Sequence, residues 1–412
     1  PLSKKKSCSR HCSRIKRHMN QKPSKRIAFL LGSGVSIPAG FPNVGDITKR
    51  VLSGENVVRH SDSTYYIDET ARPDYMPPNL WKEGIPEISG FLKLMSEKIQ
   101  KPDKKRKPEN YEFLFYLVNQ LCFQEWGVIE NPLIIPFWES IKPEVQKILQ
   151  EKRASSNSEE FLIESENYIQ DVVAALLRRP PDKLDYLNLF MECHQDPDFE
   201  HLDIFTLNHD LLMEEFFKSH SIEYTDGFDD VVDNLRIWNS QNLESNKNKT
   251  RLLKLHGSIN WCGYSYHKDD VSISFKAIAE GTSEFNVLNY KGHSLSPPDK
   301  RLFLTGTNNK MLNYNLGIWT ELHYEFFKSL NKINRMIIIG YGFGDMGINQ
   351  RIREFLSKKP DTKMVVVDRE TSQLERKIFF RFKAKGWKKH EKLEFIESSI
   401  EDVSWDQIKS LL

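Results

Sequence analysis

Five short stretches contain glycines or polar side chains that could bind a phosphorylated ligand or transfer a proton. Each follows a short apolar run typical of a buried strand, so the elements that must position this chemistry are strand ends. The stretches are Gly32-Ser33-Gly34-Val35-Ser36 with Gly40-Phe41-Pro42, Thr206-Leu207-Asn208-His209-Asp210, His256-Gly257-Ser258-Ile259-Asn260-Trp261, Gly340-Tyr341-Gly342-Phe343-Gly344-Asp345, and Asp368.

The first glycine-rich stretch has two interpretations. Glycines allow backbone N–H groups to approach a phosphate, and a helix that follows favours negative charge at its N-terminus. The glycine spacing of a dehydrogenase fingerprint is absent, and no Gly-Lys-Ser/Thr of a Walker loop follows. The alternative is a tight turn between a strand and a helix. Gly32, Ser33, Gly34, Ser36, Gly40, Phe41 and Pro42 are the candidate binding residues here.

The next two stretches carry the candidate catalytic groups. Asn208 and Asp210 leave a buried strand two residues apart, so the amide donors and the carboxylate could bind vicinal sugar hydroxyls, with Thr206 beside them. A helix cap would also explain Asp210, because Leu211–Phe217 is predicted to be helical. His256 ends another apolar strand and could act as a general base near neutral pH, or be a structural histidine.

Two further strand ends could contact a nucleotide. Gly340, Gly342, Phe343 and Asp345 form a second glycine-rich turn that runs toward a predicted helix, and its alternative role is loop flexibility. Asp368 could accept a hydrogen bond from a ribose hydroxyl, or cap the next helix.

Alternating apolar runs and amphipathic segments predict an α/β fold with a doubly wound, mostly parallel Rossmann-like sheet. In such sheets ligands bind outside the carboxyl ends of the strands. The predicted strands are Arg26–Leu31, Leu202–Leu207, Arg251–Leu255, Arg301–Leu304, Arg335–Ile339 and Lys363–Val367. The predicted helices include Ile47–Leu52 capped by Asp46, Leu316–Asn334, Ile348–Leu356 and Glu401–Leu411.

Four regions are predicted along the chain: a disordered basic arm at 1–25, the first part of the α/β domain at 26–84, a helical insertion at 85–195 and the rest of the α/β domain at 196–412. Residues 53–84 are predicted to form a long loop. Within the insertion, helices are predicted over Tyr111–Trp126, Glu159–Arg178 and Ser140–Lys152, the last with Ser140 as cap and Pro143 in its first turn. The insertion is either a cap over the pocket or a surface for oligomers or partners.

Charge and cysteine content exclude several classes of protein. Residues 1–26 contain ten Lys and Arg and no acidic residue, whereas the remaining 386 residues contain 49 basic and 57 acidic side chains. The body of the protein is therefore acidic, unlike a basic nucleic-acid-binding domain. Five cysteines, no apolar run of about 20 residues and no secretory signal predict a cytoplasmic protein.

The two ends of the sequence suggest where the natural protein starts and whether a further domain follows. The sequence begins with Pro1, and Met19 is the expected natural start. It ends at Leu412, soon after the last predicted helix, so no fused sensor domain is expected.

In this order, the stretches resemble the sirtuin-like family, most closely its bacterial branch of NAD hydrolases in anti-phage defence. The matching segments run from Arg26 to about Asp368, and Lys-Leu-His-Gly-Ser-Ile-Asn-Trp is the most specific of them. The resemblance implies that NAD is the substrate and that Gly32, Ser33, Gly34 and Ser36 line its pyrophosphate. It also implies that Asn208 and Asp210 hold the nicotinamide ribose and the attacking water, and that His256 is the general base.

The sequence also departs from the family's protein deacylases. Their two Cys-x-x-Cys pairs for structural zinc are absent, and Cys8 and Cys12 with His11 are a poor substitute, so no zinc is expected. Asn43-Val44-Gly45 replaces the Phe-Arg that follows Gly-Ile-Pro in deacylases. An NAD glycohydrolase is therefore the first expectation, ahead of a deacylase, a non-catalytic nucleotide-binding scaffold and a dehydrogenase. The resemblance further implies a homo-oligomer, controlled in trans by a HerA-type hexameric ATPase.

Overall fold

The computed structural model describes most of the chain, and two of the predicted segments lie largely outside it. The predicted basic arm falls outside the described residues except for Lys25, as do residues 68–84 of the predicted long loop. The described residues are 25–59, 64–67, 85–99, 110–128, 131–151, 157–245, 247–282, 284–296, 298, 301–305, 310–358, 360–382 and 392–412.

Fifteen strands occur in these ranges. They are β1 (Arg26–Leu31), β2 (Val57–Arg59), β3 (Tyr65–Ile67), β4 (His201–Thr206), β5 (Tyr224–Thr225), β6 (Leu235–Ile237), β7 (Thr250–Lys254), β8 (Gly257–Lys268), β9 (Val271–Ala279), β10 (Asn289–Tyr290), β11 (His293–Ser294), β12 (Arg301–Phe303), β13 (Arg335–Ile339), β14 (Lys363–Asp368) and β15 (Leu393–Glu397).

Twelve α-helices accompany them in the described part of the chain. They are α1 (Val44–Ser53), α2 (Ile85–Ile99), α3 (Tyr111–Glu125), α4 (Ile134–Glu151), α5 (Ser158–Leu177), α6 (Asn188–Gln195), α7 (Leu212–Ser219), α8 (Lys310–Asn313), α9 (Ile318–Lys332), α10 (Met346–Lys358), α11 (Thr371–Phe382) and α12 (Trp405–Lys409).

A seven-stranded parallel sheet forms the centre of the molecule, in the order β15-β14-β13-β1-β4-β7-β5. Phe29 of β1 lies in register with Ile337 of β13 on one side and Ile204 of β4 on the other. The chain therefore extends the sheet in opposite directions from β1. This reversal opens a crevice at the carboxyl ends of β1 and β13, where parallel sheets bind ligands.

Helices cover both faces of this sheet, which confirms the predicted α/β doubly wound fold. Alternate residues of β1 enter different cores: Phe29 belongs to a cluster with side chains of α1–α7 and α12, whereas Leu30 belongs to a cluster with side chains of α9–α11. Both side chains are fully buried. Because both faces are covered, the strands are continuous apolar runs, and such runs are recognisable in the sequence.

Helices α2–α6 lie in the region that was predicted to be an insertion, and the predicted helix Ser140–Lys152 begins earlier than expected. Helix α4 starts at Ile134 and carries Pro143 in its interior, and Ser140 donates to the Phe137 carbonyl instead of capping a helix start. A proline inside a helix costs about 3 kcal/mol. Burial of the stripe Ile134, Trp138, Ile141 and Val145 against the neighbouring helices offsets this cost.

Two other local predictions were wrong. Helix α1 is capped by Asn43 and not by the predicted Asp46. The Asn43 side chain accepts from the Gly45 and Asp46 amides, and the Asp46 carboxylate accepts from the Asn43 amide in a capping box. The predicted loop 53–84 contains β2 and β3, an antiparallel pair that packs on α5.

The predicted strand at Arg301–Leu304 exists as β12 but belongs to a different sheet. It pairs antiparallel with β8 in a four-stranded sheet of order β12-β8-β9-β6. Sequence pattern predicted a strand there, but the partner depends on the fold of the preceding chain. None of the helices in the described ranges is long and apolar enough to cross a membrane.

Candidate active site

A cavity of about 1070 Å³ lies at the carboxyl ends of β1, β4, β7 and β13. Its wall contains most of the candidate site residues predicted from the sequence, together with the N-terminus of α3. The predicted site residues on its wall are Gly32, Ser33, Ser36, Phe41, Pro42, Asn208, Asp210, His256, Gly340, Gly342 and Asp345.

The two glycine-rich turns contact each other backbone to backbone beneath this cavity. The Gly32 amide donates to the Ile339 carbonyl and the Gly34 amide to the Gly340 carbonyl, both at 3.0 Å. A Cβ on Gly34 would lie 2.7 Å from Gly340 Cα, and one on Gly340 would lie 2.7 Å from three backbone atoms of the first turn. Close packing of the turns thus requires glycine at 34, which is off the cavity wall.

Substituting alanine for Gly340 is expected to destabilise the protein. The added methyl would collide with immovable backbone, and Gly340 has a φ of +63°, which side chains disfavour. We expect a loss of a few kcal/mol, with Tm falling by about 2–4 °C per kcal/mol. Gly342→Ala is the matched control, because its Cβ would meet nothing within 4 Å. Thermal unfolding of both variants checks this, and equal Tm values would contradict the close packing.

Ser36, Asn208 and Asp210 form a hydrogen-bonded group between β1 and β4. The Asn208 amide Nδ2 donates to the Gly32 carbonyl at 3.0 Å and to Ser36 Oγ at 2.9 Å, and Ser36 Oγ donates to Asp210 Oδ2 at 2.7 Å. Because a carbonyl can only accept, this bond also determines which way the Asn208 amide points. Both Asn208 donors are used within the protein. The side chain therefore offers its Oδ1 acceptor to a ligand, and not the donors expected from the sequence.

Asp210 is held mainly by the protein itself. Its Oδ1 accepts from the Leu212 amide at 3.1 Å at the start of α7, and its carbonyl accepts from the Lys254 ammonium. Leu211 is the N-cap of α7, so Asp210 supports the first turn from the position before the cap. The residue is 6% exposed and lies on the cavity wall, and its contact with a ligand stays a prediction. Its contribution to the site is to orient Ser36 and, through it, Asn208.

His256 follows β7 and contacts two side chains from later parts of the chain. Its Nε2 lies 3.1 Å from Asp345 Oδ2 and 3.0 Å from the Tyr314 hydroxyl, and that hydroxyl also donates to Asp345 Oδ2. Burial and, after it, the charge of Lys310 lower the pKa of His256 below its ordinary value, and Asp345 opposes this only in part. The imidazole is therefore neutral at pH 7, as a general base requires.

Several polar residues of the cavity wall were not among the candidate site residues, including Lys310, Glu112 and His209. Lys310 forms a 2.6 Å ion pair with Glu112 at the start of α3, so the insertion is tied to the site. His209 is buried beside Phe303, at 4.8 Å between ring centroids. Burial and the charge of Lys310 hold the pKa of His209 far below its ordinary value. Only the Asn-His-Asp stretch itself could have pointed to His209.

Four further candidates, like Gly34, lie off the cavity wall. Thr206 Oγ1 accepts from the backbone N–H of Asn208 at 3.1 Å. Gly40 ends a short 3₁₀ turn with φ +84°. Phe343 is fully buried in the core, and Asp368 accepts from the Glu370 amide at 2.9 Å in a local turn. Their role in binding a nucleotide stays a prediction.

Across the described ranges, no three His, Cys, Asp or Glu side chains come together as a ligand set. Cys8, His11 and Cys12 lie outside those ranges.

Comparison with known proteins links part of the chain to one family. A family model described as a SIR2-like domain matches residues 203–396, which include Asn208, His256 and Asp345 but not the first glycine turn. No curated protein sequence matches the chain significantly.

Solved structures that resemble the chain include three whose titles name Sir2 proteins or sirtuins. One title reads "Sir2 bound to acetylated peptide" (9% identity, 95% of this chain and 94% of that chain covered, TM-score 0.33). Another concerns sirtuin substrate affinity (10%, 97% and 97%, 0.31), and a third a Sir2 homolog–NAD complex (10%, 94% and 90%, 0.30). The chain is thus similar to the SIR2-like domain family over residues 203–396.

Proposed function

We propose that the protein is an NAD⁺ glycohydrolase that cleaves NAD to nicotinamide and ADP-ribose. One arrangement carries the proposal: Asn208 and a neutral His256 share the wall of a large cavity with two glycine-rich turns. Similarity to SIR2-like domains supports NAD as the substrate. The cavity lies at the switch point of a parallel sheet, where dinucleotides bind in this class of fold.

The proposed reaction needs few groups. Nicotinamide is bound to the ribose as a cationic pyridinium, so it leaves as a neutral molecule without an acid. A water oxygen forms a bond to the anomeric carbon as the bond to the nicotinamide nitrogen breaks, and the electron pair of that bond goes to nicotinamide. Asn208 Oδ1 orients the water, and His256 takes its proton. Bound NAD would displace water from the cavity and so strengthen both interactions.

Asn208→Ala tests the role of the oriented acceptor. We expect turnover to fall by about 10²–10³-fold, the usual effect of removing one preorganised polar group from an active site. Nicotinamide release, measured by chromatography, is the readout. Asn248→Ala is the control, because Asn248 also uses its amide in a side-chain hydrogen bond but lies outside the cavity. Full activity of Asn208→Ala would contradict the assignment.

The products distinguish the alternative functions. ADP-ribose and nicotinamide formed without any peptide support the hydrolase. Turnover that requires an acyl-lysine peptide, with acyl transfer to ADP-ribose, would support the deacylase instead. Binding of NAD without any turnover would support a nucleotide-binding scaffold.

We further propose that the activity serves as an NAD-depleting effector in bacterial anti-phage defence, in a homo-oligomer gated by a HerA-type hexameric ATPase. The resemblance of the motifs supports this role, and unregulated NAD loss would kill the host. Light scattering of the protein with and without the ATPase tests the assembly, and NAD turnover of the same samples tests the control. If the ATPase neither associates nor changes turnover, this part of the proposal is wrong.

A further inference from the structure

We infer that Asp345 and Tyr314 are positioning residues that fix the tautomer of His256, with its proton on Nε2 and Nδ1 as the proton acceptor. The tautomer is a property of the folded chain, whereas its catalytic consequence rests on the proposed function. The sequence pattern had assigned Asp345 to the nucleotide. The structure turns its carboxylate toward the histidine instead.

The three groups come from separate parts of the fold. His256 follows β7, Tyr314 lies between α8 and α9, and Asp345 immediately precedes α10. The side chains of His256 and Asp345 are only 5% and 9% exposed, so water does not compete strongly for their contact. The rings of Tyr314 and His256 are nearly parallel, with 19° between their planes.

Counting protons in this group assigns the tautomer. The Tyr314 hydroxyl has one proton, and its strongest nearby acceptor is the Asp345 carboxylate, to which it donates. The phenol oxygen then presents a lone pair to His256 Nε2, and Asp345 Oδ2 presents another at 3.1 Å. A nitrogen that faces two acceptors must carry the proton. In a neutral imidazole the lone pair is therefore on Nδ1.

Both partners hold the protonation states that this assignment needs. Burial alone would raise the pKa of Asp345, but the hydrogen bonds from His256 and Tyr314 outweigh it, so this pKa lies well below the usual range. Burial, followed by the charge of Asp345, raises the pKa of Tyr314. At pH 7, Asp345 is thus ionised and Tyr314 is protonated.

The start of α10 orients the carboxylate. Asp345 Oδ1 accepts from the Ile348 amide at 3.0 Å, and the Asp345 amide donates to the Tyr341 hydroxyl at 3.1 Å. One carboxylate oxygen is therefore used by the helix, and the other faces His256 and Tyr314. An asparagine at this position would keep its carbonyl oxygen on the Ile348 amide, so its NH₂ group would face Nε2.

Asp345→Asn is therefore the informative variant. An NH₂ group against Nε2 requires Nε2 to become the acceptor, which moves the imidazole proton to Nδ1. We expect kcat to fall by about 100-fold or more, the contribution of a general base, while KM for NAD changes little. Tyr314→Phe keeps the stacked ring and leaves Asp345 on Nε2, so its loss should be smaller. A structural role alone would instead lower Tm and leave the kcat of folded protein intact.

The pH profile gives a second readout. The titratable groups around His256 are Tyr314, Asp345, Lys310, Glu112, His209 and His323, and burial raises the pKa of Tyr314 so that it stays protonated. Burial lowers the pKa of His323 to about 3, so His323 stays neutral over the tested range. Asp345 acts to raise the pKa of His256, and its neutralisation in Asp345→Asn should move the acid limb of kcat to lower pH. An unchanged acid limb and unchanged kcat would overturn the inference.

Nitrogen NMR of the histidine rings decides the tautomer without any assay of activity. Protein labelled with ¹⁵N-histidine, compared with His256→Ala to assign the signal, should show a protonated Nε2 and an unprotonated Nδ1 in the wild type. The reverse pattern in the wild type overturns the inference, even if Asp345→Asn fails to fold. The expected pattern in a protein that does not hydrolyse NAD would leave the inference standing and reject the proposed function.

Discussion

His256→Ala is expected to reduce NAD hydrolysis by roughly 10²–10⁴-fold, which is the contribution of a positioned general base. His256 is 4% exposed and stands on the cavity wall with a lowered pKa, so it is available as a neutral base at pH 7. In the wild type, activity should fall as the pH drops through this lowered pKa, because protonation removes the acceptor. Nicotinamide release measured across a pH series checks both expectations.

Two companion variants make this result specific. His256→Gln can still donate an N–H to Asp345 but cannot accept a proton at neutral pH, so it should fold well and remain inactive. His267→Ala alters an exposed histidine at the end of β8 and should retain wild-type turnover. Near-normal activity of His256→Gln would show that the imidazole does not act as a base.

Asp203→Ala is expected to cause the largest loss of stability, about 3–5 kcal/mol, as in other broken buried ion pairs. Asp203 is fully buried in β4 and accepts from Arg251 Nε at 2.7 Å and Ser329 Oγ at 2.5 Å, with Arg26 at 3.4 Å. Without it, the buried Arg251 would keep only Glu325, at 3.1 Å, as a charged partner.

Thermal and denaturant unfolding measure this loss, and Asp198→Ala is the control. Asp198 also pairs with a cation, Lys409, but its side chain is 69% exposed, so its removal should cost at most about 1 kcal/mol. Burial alone would raise the pKa of Asp203, but Arg251 and its hydrogen bonds outweigh it and lower this pKa. The stability from Asp203 is therefore fully present above its unfolded pKa and is lost as the pH falls through its lower folded pKa. Equal effects of the two variants would contradict the buried network.

Most of the parallel sheet was predictable because strands that are buried on both faces appear in the sequence as continuous apolar runs. The predicted strands Arg26–Leu31 and Arg335–Ile339 coincide with β1 and β13. Strands β8 and β9 of the antiparallel sheet were missed because the prediction relied on continuous apolar runs, whereas parts of these strands alternate, as in Val271-Ser272-Ile273-Ser274-Phe275. The first residues of β8 also belong to the His256-Gly257-Ser258 stretch, whose composition suggested a turn.

The site was predictable in position but not in orientation. The rule that ligands bind at strand ends placed Asn208 and His256 at one edge, and the structure puts both on one cavity wall. Strand ends do not determine where a side chain points, so Asp345 was assigned to the nucleotide and not to His256. Tyr314 and Lys310 could not be recognised, because their contacts with His256 and Glu112 join segments far apart in sequence.

The contact between Gly34 and Gly340 has an evolutionary consequence. Each glycine leaves the other no room for a methyl group, so neither position can change unless the backbone of both turns shifts. In related sequences the two positions should therefore remain glycine together or diverge together. Their conservation would then record how the turns pack, and it could persist in relatives that have lost the histidine and no longer act on a nucleotide.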